Sequence, residues 1–324
     1  NQVPGSNYAG SFVGDLTALN VKNELDTITA TESSAKGNHF IGQSGAVSDS
    51  APTVKNITSL GTVRGLAPGE PAKQGSYNAA GVAYFAKRSD LRSTLDGQQS
   101  IDTFVVALAS PLPKIVVPLA GGTVTLVPFS RTVAGSGVVA TKGSYQPTNQ
   151  IVDFYVETLA NTIPNSNMAI NGGRYQARFI INYEDVEQGG DHDMDAIAVY
   201  DVVANADGTV SVTVTPTYQA GGMKQNMGYV IAGVGAASGV YLVAQDEAGA
   251  QNYYLNVPAG RSPGYCDVAT PPAACGTLPT IGGAASVFKF TPSGTGATLL
   301  DGPLWYAAKW GSFNDLNPES PLNP

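Results

Sequence analysis

The sequence predicts a mainly β protein, an antiparallel β-sandwich that follows a partial α/β region. Three observations carry this. Short apolar segments recur between about residues 115 and 290, and Gly (38) and Pro (21) residues separate many of them. Two of the separators, Gly121-Gly122 and Asp207-Gly208, are hairpin signals that stand between such segments. Before them, a small-residue helix over 77–87 leads into the apolar run Thr103-Phe104-Val105-Val106-Ala107-Leu108, and a helix feeding an apolar strand is the α/β signature.

Leu16, Leu19 and Val21 hint at a short first helix, and a Ser/Gly/Thr-rich loop is expected over about 31–75. In the helix over 77–87, Ala79-Ala80-Gly81-Val82-Ala83-Tyr84-Phe85-Ala86 keeps the side chains small. The run at 103–108 is apolar throughout, which predicts a strand buried on both faces. After Pro111 and Pro113 the pattern changes to period two. Ile115–Leu119 and 123–129 flank the first hairpin turn. Val152, Phe154 and Val156 alternate, and Tyr175, Ala177, Phe179, Ile181 and Tyr183 alternate over nine residues. Segments 197–204 and 209–218 flank Asp207-Gly208, with Val210, Val212 and Val214 on the buried face. Further strands are predicted at 228–234, 240–245, 253–257 and 286–290. The segment Gly302-Pro303-Leu304-Trp305-Tyr306-Ala307-Ala308-Lys309-Trp310 reads as a helix, with Pro303 in its first turn and Gly311 placed to end it.

Composition narrows the function classes. Hydrophobic residues are 43% of the 324, enough for a sizeable core, and charged residues are 13%, against about 25% in an average soluble domain. Low charge, many turn residues and abundant Tyr suit an extracellular β-rich protein. The net charge of −8 repels nucleic-acid phosphates, and no basic run offers a DNA or anionic-membrane surface. The apolar stretches are strand-sized, short of the roughly 20 residues a membrane-spanning helix needs. The chain opens Asn1-Gln2-Val3-Pro4-Gly5 without a signal peptide and closes on a Pro/Asn-rich segment over 317–324, so it reads as a processed chain or a piece of a longer one. Cys266 and Cys275 are the two cysteines and allow one disulfide in an oxidising compartment, the alternative being two free thiols. Two cysteines without a nearby His do not supply the four ligands of a structural zinc site.

The most distinctive chemistry is the turn Glu184-Asp185-Val186-Glu187-Gln188-Gly189-Gly190-Asp191-His192-Asp193-Met194-Asp195. Glu187, Asp191, Asp193 and Asp195 form a candidate calcium site, because hard oxygen ligands at alternate positions suit that ion. The EF-hand pattern is not matched, and the other reading is a solvated acidic hairpin whose carboxylates bond backbone N–H groups. Arg174 or Arg178 is a possible partner for one of these carboxylates. His39 and His192 are the only histidines, and no Gly-x-Ser-x-Gly is present to place a nucleophilic serine beside either. No phosphate-binding Gly-Lys-Ser/Thr occurs. Asn56-Ile57-Thr58 is a glycosylation triplet. The Trp/Tyr-rich segment at 304–310 offers either a stacking surface or, as the favoured reading, a helix that packs on its neighbour.

Four segments in order resemble the PilC/PilY family of type IV pilus-associated proteins. They are Ala80-Gly81-Val82-Ala83-Tyr84 with Asp90-Leu91-Arg92, Gly97-Gln98-Gln99 and Thr103; the stretch from Tyr183 to Asp195; Gly228-Tyr229-Val230-Ile231-Ala232-Gly233 with Gly239-Val240-Tyr241; and the stretch from Pro303 to Phe313. The resemblance implies a position between a von Willebrand A-like domain and a C-terminal β-propeller. Residues 1–110 would be the later half of the A-like domain, 111–295 the sandwich, and 296–324 a Trp-rich helix and linker. The A-like domain's Asp-x-Ser-x-Ser metal motif and the propeller's calcium loop do not occur in this sequence. Implied too are a non-catalytic role as pilus tip adhesin or assembly factor, export through the periplasm to the cell surface, and partners among minor pilins or host and abiotic surfaces. Two other readings stand beside it: a filament subunit that self-associates by strand addition, and, with least support, a secreted hydrolase.

Overall fold

A computed structural model of the chain describes residues 18–48, 51–66, 75–107, 113–135, 149–185, 194–220, 222–247, 256–258, 270, 272, 278–294 and 296–312. Its centre is a sandwich of two five-stranded antiparallel sheets. One sheet has the order β15-β11-β10-β9-β8 and is formed by β8 (Gln150–Ala160), β9 (Gln176–Glu184), β10 (Ala196–Ala204), β11 (Val210–Gln219) and β15 (Ser286–Phe290). The other has the order β14-β13-β12-β7-β6 and is formed by β6 (Ile115–Leu119), β7 (Gly122–Ala134), β12 (Lys224–Ala232), β13 (Gly239–Gln245) and β14 (Asn256–Pro258).

The two sheets differ in burial, and the difference follows from what covers them. In β10 and β11 buried and less buried residues largely alternate, because one face meets the core and the other meets water. Val210, Val212 and Val214 all lie at 0% exposure in that core, beside Tyr183, Tyr200 and Tyr229. The central strands β12 and β13 are buried almost throughout. Their second face packs on another apolar cluster, which includes Phe40, Ala51, Phe129, Val230, Val240 and Leu242. A strand covered on both sides reads as a continuous apolar run, as Gly228-Tyr229-Val230-Ile231-Ala232 does. Gly228 is required here: a Cβ would lie 1.7 Å from the Tyr241 carbonyl oxygen. Across the core, Tyr183 donates to the Tyr200 hydroxyl at 2.6 Å, and Tyr200 donates to the Gly228 carbonyl at 2.7 Å, which ties the two sheets together.

The remaining elements form a smaller unit. Helices α1 (Val21–Thr31), α2 (Asn78–Arg88) and α3 (Pro303–Ser312) share a core with Ile41, Ile57, Leu60 and Val63. Strands β1 (Gly37–Phe40) and β4 (Val54–Ile57) pair antiparallel, as do β2 (Gln43–Ser44) with β3 (Val47–Ser48) and with β5 (Val63–Arg64). Among its described residues, the stretch at 31–75, expected as a loop, therefore carries five short strands. Their lengths of two to four residues leave little periodicity to detect. The segment that follows β15 makes isolated parallel bridges to both units, Thr298 to His39 in this one and Ser293 to Val234, after β12, in the sandwich.

Two expectations are corrected. The run at 103–107 is no strand, and it is not buried on both faces: Phe104 is 81% and Val106 100% exposed, while Val105 packs on the helical core. Backbone contacts hold it instead, Ile101 N–H donating to the Ala86 carbonyl and Thr103 N–H to the Gly311 carbonyl. Gly311 does not end α3, which continues to Ser312. Close packing explains the glycine, since a Cβ would lie 2.8 Å from Ala83 Cβ and 2.9 Å from Thr103 Cβ. The favoured packing role of the Trp-rich helix holds for Trp310, which is 6% exposed and donates its indole N–H to Glu32 at 3.0 Å, while Trp305 remains 44% exposed.

Candidate functional site

The acidic turn joins β9 to β10, and the described residues define its base. Tyr183 stands opposite Ala196, so the strands part immediately beyond this pair. Glu184, Asp185 and Asp195 are all buried, at 0%, 2% and 6% exposure. The Asp185 N–H donates to Asp195 Oδ2 at 2.7 Å, the Asp195 N–H donates to the Tyr183 carbonyl, and the Asp195 carbonyl accepts from Ala220 N–H at 2.9 Å. Asp195 therefore clamps the base of the hairpin with both its backbone and its side chain. Met194, at φ 66°, takes the left-handed turn that precedes it. The other three candidate calcium ligands, Glu187, Asp191 and Asp193, lie outside the described residues, as do Cys266 and Cys275 and His192. Among the described residues no group of three or more His, Cys, Asp or Glu side chains is arranged to hold a metal ion.

The arginines suggested as partners of the turn are engaged elsewhere. Arg178 forms a two-sided ion pair on the outer face of its sheet, with Glu157 and with Asp201, the latter at 2.8 and 2.9 Å. Those carboxylates face Arg178 because Asp201 is its direct partner on β10 and Glu157 sits at a bulge in β8. Arg174 donates to the Asn171 side-chain oxygen at 3.0 Å. Register, which the composition of a turn does not encode, decided the first, while the Arg174 contact is local, three residues along the chain.

The same end of the sandwich carries a buried polar network that sequence reasoning missed. Asn149, just before the Gln150–Glu184 pair, accepts from Thr132 N–H and Thr132 hydroxyl through Oδ1. Through Nδ2 it donates to Ser130 Oγ and to Gln225 Oε1. Gln225 N–H in turn donates to Asp246 Oδ1 at 2.9 Å, and Asp246 N–H returns a bond to the Gln225 carbonyl. Asp246 is 2% exposed, and burial pushes its carboxyl up to about 6 against the backbone N–H bonds that lower it. The members are spread from Ser130 to Asp246, so no local signal marks them. An Asp at the end of an apolar strand was the one legible hint.

His39 sits in β1 at 2% exposure, with Nε2 against the Lys36 carbonyl and Nδ1 against the Thr298 hydroxyl, each at 3.1 Å. Burial lowers its pKa and favours the neutral ring, which suits a structural joint between β1 and the segment after β15. Asn56, the first residue of the glycosylation triplet, is exposed on β4.

A family model described as PilY1 homolog, beta-sandwich, matches residues 117–279, half of the chain. The chain belongs to the PilY1 family. A second PilY1 model, described as PilY1 homolog, second domain, matches residues 1–86. The Type IV pilus biogenesis factor PilY1 homolog of Xylella fastidiosa (strain Temecula1 / ATCC 700964) is 45% identical over 334 residues, which cover 96% of this chain and 22% of that protein. The chain thus spans about a fifth of the length of that PilY1 relative. No solved structure matches it. The PilY1 sandwich model stops short of β15, yet β15 pairs with β11 over five residues and supplies Phe290 to the core.

Proposed function

We propose that this chain is the central part of an extracellular type IV pilus protein, a tip adhesin or assembly factor that acts by binding and scaffolding. The observation that carries the reading is the 45% identity, along 96% of the chain, to a protein named as a type IV pilus biogenesis factor. Partners in this reading are minor pilins and a host or abiotic surface. The sandwich suits the role, since inter-sheet hydrogen bonds and a doubly covered central sheet give a stiff body on which loops are displayed. A divalent cation on the acidic turn, held by Glu187, Asp191 and Asp193, is part of the same proposal, with the buried Asp195 fixing the turn's base.

Strand addition into a filament finds less support at one side of the sandwich. In the β6–β7 hairpin the two-residue turn Ala120-Gly121 follows the Leu119–Gly122 pair, so the backbone groups of residue 118 point away from β7. Pro118 stands there and removes the N–H that an added strand would use. The facing edge, β8, has register shifts at Ile151/Asp153 and Val156/Thr158, which break the flat ladder an incoming strand needs.

The test is genetic complementation in the source bacterium. Cells lacking the gene are expected to lose surface pili, twitching and adhesion. The full-length gene restores all three, and a version without residues 117–279 does not. Unchanged piliation, twitching and adhesion in the deletion strain would overturn the reading. Cation binding is checked on the 324-residue chain by thermal unfolding with calcium or chelator. Calcium at 100 times its Kd is expected to add about 2.7 kcal/mol, and a variant carrying Asp191→Asn and Asp193→Asn loses that gain.

A further inference from the structure

On the side where the sandwich ends in β6 and β8, its core is open. A cleft of about 290 Å³ lies between the two edge strands, with Ile115 and Val116 on one wall and Phe154, Val156, Leu159 and Phe179 on the other. Register shows that the wall belongs to the core face. Phe154 stands opposite Ile181, Val156 opposite Phe179 and Leu159 opposite Ala177, and all three partners are buried. Cross-strand partners share a face, so Val156 and Leu159 point the way the core residues point. They are nevertheless 43% and 49% exposed, because β6 ends before it covers them, and Val116 at the rim is 48% exposed.

The walls are braced by hydrogen bonds, and Lys114 is the one charged residue among the described residues that line the cleft. The loop after β8 is pinned by Asn161, whose side chain donates to the Ile170 and Arg174 carbonyls and accepts from Ser166 and Asn167. That loop places Thr162 in the cleft wall and Ile163, 72% exposed, just outside it. Lys114 is exposed at the mouth and has no carboxylate partner among the described residues. In a chain of net charge −8, an unmatched cation beside an apolar cleft selects an anionic group.

We propose that this cleft docks a segment of a partner protein, which seats one large apolar side chain against Phe154, Val156 and Leu159 and sets a carboxylate on Lys114. The inference rests on the binding role proposed above and gives it a location. A partner protein is favoured over a small molecule on two grounds. The cleft, at about 290 Å³, is at the lower limit of small-ligand pockets, about 300 Å³, and has room for an anchor side chain. Ile163, exposed and next in the chain to the cleft-wall residue Thr162, would also be left uncovered by a ligand confined to the cleft. Pro118 and the two β8 bulges argue that the segment binds through side chains rather than by extending a sheet. Preformed walls reduce the ordering cost of binding.

The test uses the 324-residue chain and a fluorescein-labelled, end-blocked nine-residue peptide with Phe at its centre, Val on either side and one Glu two positions away. Fluorescence polarisation is expected to show binding that weakens at least roughly tenfold, about 1.4 kcal/mol, with Val156→Asp or Leu159→Asp. Lys114→Glu is expected to weaken it roughly threefold or more, with recovery when the peptide's Glu is exchanged for Lys. All three side chains are solvent-exposed, so melting temperatures should stay close to the parent's. No binding up to millimolar peptide, or binding indifferent to all three variants, would overturn the proposal. So would self-association of the chain in sedimentation equilibrium that Val156→Asp abolishes, which would make a second copy the occupant. Failure here with loss of pili in the deletion strain sinks the cleft alone; peptide binding with unchanged pili sinks the pilus reading alone.

Discussion

Asp246 places a carboxyl in a site with almost no water, and burial holds its pKa near 6 instead of the ordinary 3.8. The folded state thus binds a proton more readily than the unfolded chain. Stability from this group is fully present below about pH 4 and is lost as pH rises through 6. Asp246→Asn keeps an oxygen to accept from Gln225 N–H and removes the charge. It is expected to stabilise the chain by roughly 2–3 kcal/mol at pH 8 and to have little effect at pH 4, as read from urea midpoints at the two pH values. Equal effects at both would show that the carboxyl is not held neutral. The tyrosine relay is a different case, in which polar groups are buried without charge. Its hydroxyls satisfy one another and the Gly228 carbonyl, so burial demands no proton exchange near neutral pH.

Among the elements, α3 shows two effects in competition. Ala is about 1 kcal/mol better than Gly inside a helix, so propensity alone favours Gly311→Ala. The new Cβ would meet Ala83 and Thr103 at under 3.0 Å, and overpacking of that kind typically costs about 1–3 kcal/mol. Sterics should win, with a net loss of about 1 kcal/mol in chemical denaturation, because Gly311 lies in the last turn where propensity counts least. A rise in stability would mean that α3 can move away from α2. Charge reinforces the same helix. Lys309 pairs with Glu32 at 2.5 Å, the carboxylate that also accepts from Trp310. On α2, Arg88 forms a bidentate bond with the buried Glu24 of α1 at 2.6 and 2.9 Å.

At the scale of the molecule, the helical unit and the sandwich share a buried boundary. Phe40, in β1, packs with Phe129, Val230, Val240 and Leu242 on the second face of the central sheet. Removing it opens a cavity in that boundary, and Phe40→Ala is expected to cost about 3–5 kcal/mol. Both tryptophans lie on α3, so their fluorescence reports the helical unit, whereas far-UV circular dichroism is dominated by the strands. The two signals should melt together in the parent chain and shift together in Phe40→Ala. Separate transitions would show that the boundary does not couple the units.

Local pattern was enough for most of the sandwich. The hairpin expected at Gly121-Gly122, which turns one residue earlier at Ala120-Gly121, the hairpin at Asp207-Gly208, the alternation from Tyr175 to Tyr183 and the strand at 286–290 are all visible in order along the chain, because turn chemistry and period two are properties of neighbours. Family membership was legible for a related reason, since four short motifs survive in sequence order. What neighbours cannot specify came from the tertiary structure. The run at 103–107 has the composition of a buried strand but finds no partner strand, so it lies exposed. Arg178 takes Glu157 and Asp201 because register puts them opposite it. The network from Asn149 to Asp246 joins distant segments, and the open cleft depends on β6 being shorter than β8. Each is a matter of which segments meet and at what register, and that is decided by packing the whole chain rather than by any stretch of it.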